Sequence, residues 1–75
     1  MKTFGEQIGL NAGTIWVSLS TQREPISLSA LKTAIGLKDR DFHLALGWLA
    51  RENKVHFIEQ GNQVKVQLAQ SEFYF

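Results

Sequence analysis

From Phe4 the chain repeats apolar residues at intervals of three and four. Phe4, Ile8, Ala12, Ile15 and Leu19 form one stripe on a 3.6-residue period, which predicts a helix to about Ser20. Thr3-Phe4-Gly5-Glu6 supplies its start: the Thr3 hydroxyl can accept the Glu6 amide while Glu6 reaches back to the Thr3 amide. Thr21 to Pro25 is polar, and Pro25 forbids a helix running through it. Ile26-Ser27-Leu28 has room only for a short strand or an extended link. Ser29 is then placed to cap a second helix, with Leu31 and Ile35 four apart, and Gly36 to stop it where a positive φ costs glycine little. After a tight turn at Leu37-Lys38, a third helix is expected from Asp39 or Arg40 to about Asn53. Its Phe42, Ala45, Leu46 and Leu49 share one face. Asp39 and Asp41 in the first turn, with Arg51 and Lys54 near the end, follow the order that the helix dipole favours.

Beyond Lys54 the period changes from 3.6 to 2. Val55 and Phe57 alternate with His56 and Ile58, and Val64, Val66 and Leu68 alternate with Lys65 and Gln67. Gln60-Gly61-Asn62-Gln63 joins the two runs, so a β-hairpin is expected, with a loop of two residues or slightly more. Helix, short strand, helix, tight turn, helix, hairpin is the order of a winged helix-turn-helix, an α+β fold. The helix-turn-helix unit is expected over Ser29–Asn53 and the wing over Val55–Leu68, followed by a tail over 69–75 that ends in Phe73-Tyr74-Phe75.

Length and composition narrow the picture. Seventy-five residues fit a single domain over 1–75 with a modest core. The absence of cysteine excludes a disulfide scaffold and any thiolate site, and fits a reducing cytoplasm. Apolar runs are too short for a membrane span. Eight Lys and Arg against seven Asp and Glu predict no strong general attraction to nucleic acid or anionic lipid.

Two segments carry a resemblance: Ile8-Gly9-Leu10-Asn11-Ala12-Gly13-Thr14-Ile15-Trp16, and Ala45-Leu46-Gly47-Trp48-Leu49-Ala50-Arg51-Glu52-Asn53-Lys54. With them the chain resembles, over roughly Gly5 to Leu68, a small family of stand-alone bacterial and archaeal winged helix-turn-helix domains of unassigned function. The resemblance implies that fold and a free-standing cytoplasmic protein able to dimerise. It implies no catalytic residue and no defined ligand.

Two surfaces compete for a role. In DNA-binding winged helices the third helix enters the major groove and the wing touches backbone or minor groove. Here Lys38, Arg40, His43, Arg51 and, in the wing, Lys65 are the candidates for duplex DNA. Against that, Leu44 and Trp48 share the outward face and are poor readers of base edges. Between residues 38 and 54 the cations Lys38, Arg40, Arg51 and Lys54 meet the anions Asp39, Asp41 and Glu52, a local excess of one. Affinity for duplex DNA rests largely on phosphate neutralisation, so little is available. Helix-end stabilisation accounts equally for Asp39, Asp41, Arg51 and Lys54, at about 0.3–1 kcal/mol each. Trp48 can simply cover the hairpin.

The first helix offers the second surface. Gly5, Gly9 and Gly13 recur every fourth residue beside Trp16, and each interior glycine costs about 0.5–1 kcal/mol relative to alanine. A ring or backbone packed closely against them would compensate, either Trp16 and the wing within one chain or a second subunit. Leu10 and Val17 project away from the stripe and imply a second apolar face. Leu10, Gly13, Trp16, Val17, Leu44 and Trp48 are therefore candidates for contact with a second copy or another protein.

No phosphate loop, nucleophile elbow or zinc-protease motif is present, and Asp39 and Asp41 project about 200° apart, so no catalytic residue is assigned. His43 and His56 lie on different elements without a partner at ligand spacing, so no metal is assigned, and nothing points to a cofactor or small-molecule substrate. The sequence reads as a non-enzymatic winged-helix binding module. DNA contact linked to transcription and protein contact or homodimerisation are its two alternatives.

Overall fold

The computed structural model describes residues 3–69 and Glu72. Three helices, α1 (Phe4–Ser20), α2 (Leu28–Ile35) and α3 (Asp39–Arg51), precede a hairpin of β2 (Val55–Gln60) and β3 (Gln63–Leu68), with β1 (Ile26–Ser27) between α1 and α2. This is a winged helix-turn-helix. β1 pairs antiparallel with β3, Ile26 opposite Val66, so the link before α2 becomes an edge of a sheet ordered β1-β3-β2. Apart from Ala69 and Glu72, the tail expected over 69–75 lies outside the described residues.

The α1 stripe divides as the period requires, with Ala12, Ile15 and Leu19 buried. Phe42, Ala45, Leu46 and Leu49 are the buried face of α3, and Leu31 of α2, Val66 and Leu68 complete the same core. Burying each large side chain among these contributes about 1.5–3 kcal/mol. One stripe position and one position beside the stripe differ from expectation. Phe4, in the first turn, is 55% exposed, with the Arg40 guanidinium over its ring rather than the core. Asn11, a polar residue, is buried instead, its Oδ1 accepting from Gln7 Nε2 at 3.1 Å.

The ends of the helices have local causes. Thr3 Oγ1 accepts the Glu6 amide at 3.1 Å and its hydroxyl donates to the Glu6 carboxylate at 3.1 Å, so the return leg of the capping box runs to the hydroxyl rather than the Thr3 amide. α2 is capped by Ser27 and not by Ser29. The extended backbone at Ser27 (ψ 150°) lets its Oγ accept the Ala30 amide at 3.2 Å, whereas Ser29 already lies inside the helix. Gly36, at φ 80°, ends α2 with its amide donating to Lys32 O at 2.8 Å. α3 stops at Arg51, two residues before the expected Asn53, because Asn53 adopts φ 58°. The Asn53 amide then reaches Ala50 O at 3.1 Å and the Lys54 amide reaches Leu49 O at 3.0 Å, the paired bonds of a Schellman stop.

Gln60 pairs with Gln63, leaving Gly61-Asn62 as a two-residue loop. Gly61 has φ 60° and Asn62 is not left-handed, the combination of a type II′ turn. Val55, Val66 and Leu68 turn toward the helices and are buried. Phe57, opposite Val66 on the same face, is 38% exposed because β2 is an edge strand whose cover ends soon after Val55.

Replacing Ser27 by Ala should therefore cost about 1 kcal/mol in chemical denaturation, with Ser29→Ala close to neutral. The opposite ranking would restore Ser29 as the cap.

Candidate functional site

The outward face of α3 carries Arg40, Leu44, Gly47 and Arg51, with His43 on one flank and Trp48 on the other. These side chains are not equally available. Arg40 donates from Nε and Nη2 to Asp41 Oδ1, both at 3.3 Å, and its guanidinium carbon lies 5.2 Å from the centre of the Phe4 ring. It is drawn along the domain toward the start of α1. His43 Nδ1 donates to Asp39 O at 2.8 Å, which places the ring proton on Nδ1, since a carbonyl only accepts. Asp39 Oδ1 is 2.7 Å from Lys32 Nζ of α2. The hydrogen bond and charge of that ammonium hold the Asp39 carboxyl below its ordinary 3.8.

Lys38 and Arg51 are exposed and make no ion pair among the described residues. Lys65 lies elsewhere. Val66 and Leu68 face the helices, so Lys65, opposite Ile58 and Ser27, is on the other face of the sheet. The five candidates for nucleic acid thus divide into a tethered Arg40, a backbone-bonded His43, an exposed Arg51 in the last turn of α3, an exposed Lys38 at the cap before it, and a lysine on the other face of the sheet.

The candidates for protein contact lie on α1 and α3. Leu10 and Val17 are 49% and 60% exposed on α1, opposite its buried stripe. Gly9 and Gly13 form the flank of α1 that faces α3, and a groove of about 290 Å³ runs there between Trp16 and Trp48, over Ala12 and Leu49. Trp48, 43% exposed, is a wall of this groove. Neither Trp16 nor the wing packs onto the glycines: a Cβ at Gly5, Gly9 or Gly13 would meet no described atom within 4 Å. Leu44, one turn before Trp48, is 40% exposed and extends the apolar side onto α3.

One end of the groove is polar. Trp16 Nε1 donates to Glu72 Oε1 at 2.8 Å, and Lys54 Nζ is 3.6 Å from the same oxygen. Lys54 is thus held by Glu72 rather than by the end of α3. Sequence reasoning missed Glu72, which stands 56 residues from Trp16. The available signal was chemical: an indole N–H that is half-buried needs an acceptor.

Two further clefts are larger than this groove, and the one at the sheet is the more polar. One of about 340 Å³ lies between α2 and α3 beside Ser29, Lys32 and Asp39, and one of about 450 Å³ lies at the sheet beside Asn53, His56 and Gln67. Among the described residues no three His, Asp or Glu converge as metal ligands, and no buried side-chain polar atom lacks a partner. No helix among them is long and apolar enough to cross a membrane.

A family model described as "Winged helix-turn-helix domain (DUF2582)" matches residues 2–68. Among solved structures, the chain is similar to protein BT2368 from Bacteroides thetaiotaomicron, whose structure was determined in solution by NMR. The two are 32% identical, the match covers 97% of this chain and 87% of that one, and the TM-score is 0.79. No curated protein matches the sequence.

The Lys32–Asp39 pair has a pH signature. A carboxyl with a lowered folded pKa adds stability above its ordinary value of 3.8, and that contribution disappears as pH falls through the lowered pKa. In an NMR titration, Lys32→Ala should return the Asp39 midpoint toward the ordinary value. It should also flatten the acid limb of the stability curve below about pH 4.

Proposed function

The chain belongs to the winged helix-turn-helix family DUF2582, and on that scaffold we propose a protein-contact module that associates through α1 with a second copy of itself. The observation that carries this reading is the outward face of α1. Leu10 and Val17 stand in solvent there, and no ionisable side chain occurs from Gln7 to Ser20. A face without charge is matched best by another without charge, because a charged partner would lose hydration and gain no counter-ion. Around a two-fold axis the same residues meet their own copies, and Gly13 between Leu10 and Val17 permits close approach. No catalytic step is part of this reading.

DNA contact is the second reading, favoured by Arg51 on the exposed α3 face beside Gly47 and by Lys38 at the cap before α3. Two unpaired cations neutralise about two phosphates, which gives a salt dependence of about the second power. Proteins that bind duplex DNA tightly engage several times as many. Arg40 adds to the count only by leaving Asp41 and Phe4.

Sedimentation of the full chain should show a dimer mass that is lost in Leu10→Glu and Val17→Glu. The circular dichroism of both variants should be unchanged, since neither residue is in the core. A monomer at millimolar concentration would exclude self-association. Fluorescence anisotropy with random duplex DNA at two salt concentrations should show weak binding with a shallow salt slope. Tight binding with a steep slope, reduced by Arg51→Ala, would transfer the function to α3.

A further inference from the structure

Arg40 belongs to the outward line of α3 with Leu44, Gly47 and Arg51, yet its guanidinium is turned toward the start of α1. Nε and Nη2 both donate to Asp41 Oδ1 at 3.3 Å, and the guanidinium carbon lies 5.2 Å from the centre of the Phe4 ring. The two contacts come from different elements: Asp41 is in the first turn of α3, and Phe4 opens α1.

This seat gives Phe4 a role that the core does not. Phe4 has the period of the buried stripe but is 55% exposed and stands outside the core cluster. A guanidinium over an aromatic face is attracted by the ring quadrupole, and the Asp41 carboxylate supplies the opposite charge to the same group. The Asp41 side chain is 24% exposed against 73% for that of Arg40, so the seat is fixed and the arginine is the part able to leave.

What Arg40 would do on leaving follows from its spacing. Arg51 lies eleven residues after it on the same line, about 16 Å along a helix, with the uncharged Leu44 and Gly47 between them. The major groove of B-form DNA is about 12 Å wide. Two guanidiniums at that separation reach phosphates on both of its walls, whereas Arg51 alone reaches one wall.

We propose that Phe4 and Asp41 form a built-in restraint on Arg40, and that its release completes a two-point phosphate contact across α3. The proposal rests on the second reading, in which α3 contacts duplex DNA, and it gives the weak binding expected there a specific cause. It is independent of self-association through Leu10 and Val17, which lie on the solvent side of α1.

Two measurements on the full chain test it. In NMR spectra the Hδ protons of Arg40 should be shifted upfield by the Phe4 ring current, and the shift should vanish in Phe4→Leu. Fluorescence anisotropy with random duplex DNA then compares Phe4→Leu and Asp41→Asn, each in the natural chain and in an Arg40→Gln background. In the natural chain each should tighten binding about two- to fivefold. The salt slope should steepen by up to about 0.9, the share of one further phosphate. In the Arg40→Gln chain, Phe4→Leu should have no effect, and Asp41→Asn should keep only the smaller gain that any lost negative charge brings. Unchanged binding in Phe4→Leu, or equal gains in both backgrounds, would overturn the proposal, as would an unshifted Arg40 Hδ signal. If none of the chains bound DNA while the ring-current shift was present, the DNA reading itself would fall, and the proposal with it.

Discussion

The apolar stripe of α3 is the constraint from which the rest of the domain follows. Phe42, Ala45, Leu46 and Leu49 all lie within 4% of full burial, and α3 packs against α1 and β2. Helix α2 and the first strand reach the same core through Leu31 and through the pairing of Ile26 with Val66. A domain this small has one core and no reserve, so each large side chain in that stripe is a substantial fraction of a net stability of about 5–15 kcal/mol. The stripe also fixes what α3 shows to solvent. Four buried positions in thirteen residues leave Arg40, Leu44, Gly47 and Arg51 on the opposite side, and no local rearrangement exchanges the two sets.

Electrostatics then decides how much of that outer face is usable. The start of α3 holds two acids where the helix dipole favours them, and each has drawn in a cation: Lys32 to Asp39 and Arg40 to Asp41. Both pairs are largely solvent-exposed, so each adds little to stability. Their greater effect is to commit charges that a polyanion would otherwise use. Screening by salt loosens such pairs and weakens phosphate contacts at the same time, so raising or lowering salt does not free Arg40 selectively for DNA.

The order of elements and the core were legible in the sequence because each rests on local chemistry: periodicity, caps and turn residues within a few positions of one another. Where local chemistry offers two solutions, the structure departs from the sequence pattern by small steps. Ser27 and Ser29 are equally good caps by residue type, and the strand pairing of Ile26–Ser27 places the extended backbone at Ser27. The pattern carries α3 to about Asn53, but asparagine tolerates the left-handed conformation and there serves as the stop itself. Phe4 and Phe57 have the right period and lie beyond the reach of the core, which periodicity cannot register. The candidate site was legible only in its parts. That Leu10 and Val17 are exposed, and that Trp16 and Trp48 face one groove, required the relative placement of α1 and α3. The Trp16–Glu72 bond joins residues with no local relation at all.

The two faces of α1 are alike in lacking charge, although only one of them is buried in the core. The core side needs only the arc holding Ala12, Ile15 and Leu19, about a third of the circumference. A surface helix ordinarily fills the remainder with charge, which keeps it solvated and discourages association. This helix has a single ionisable residue, Glu6, and it is spent in the cap beside Thr3. What remains is glycine, hydroxyl and aliphatic surface, with the least desolvation cost on contact and no counter-charge to seek. The winged-helix scaffold usually invites attention to α3, yet in this chain the stretch without an ionisable side chain, Gln7 to Ser20, lies on α1, and the proposed self-association rests on it.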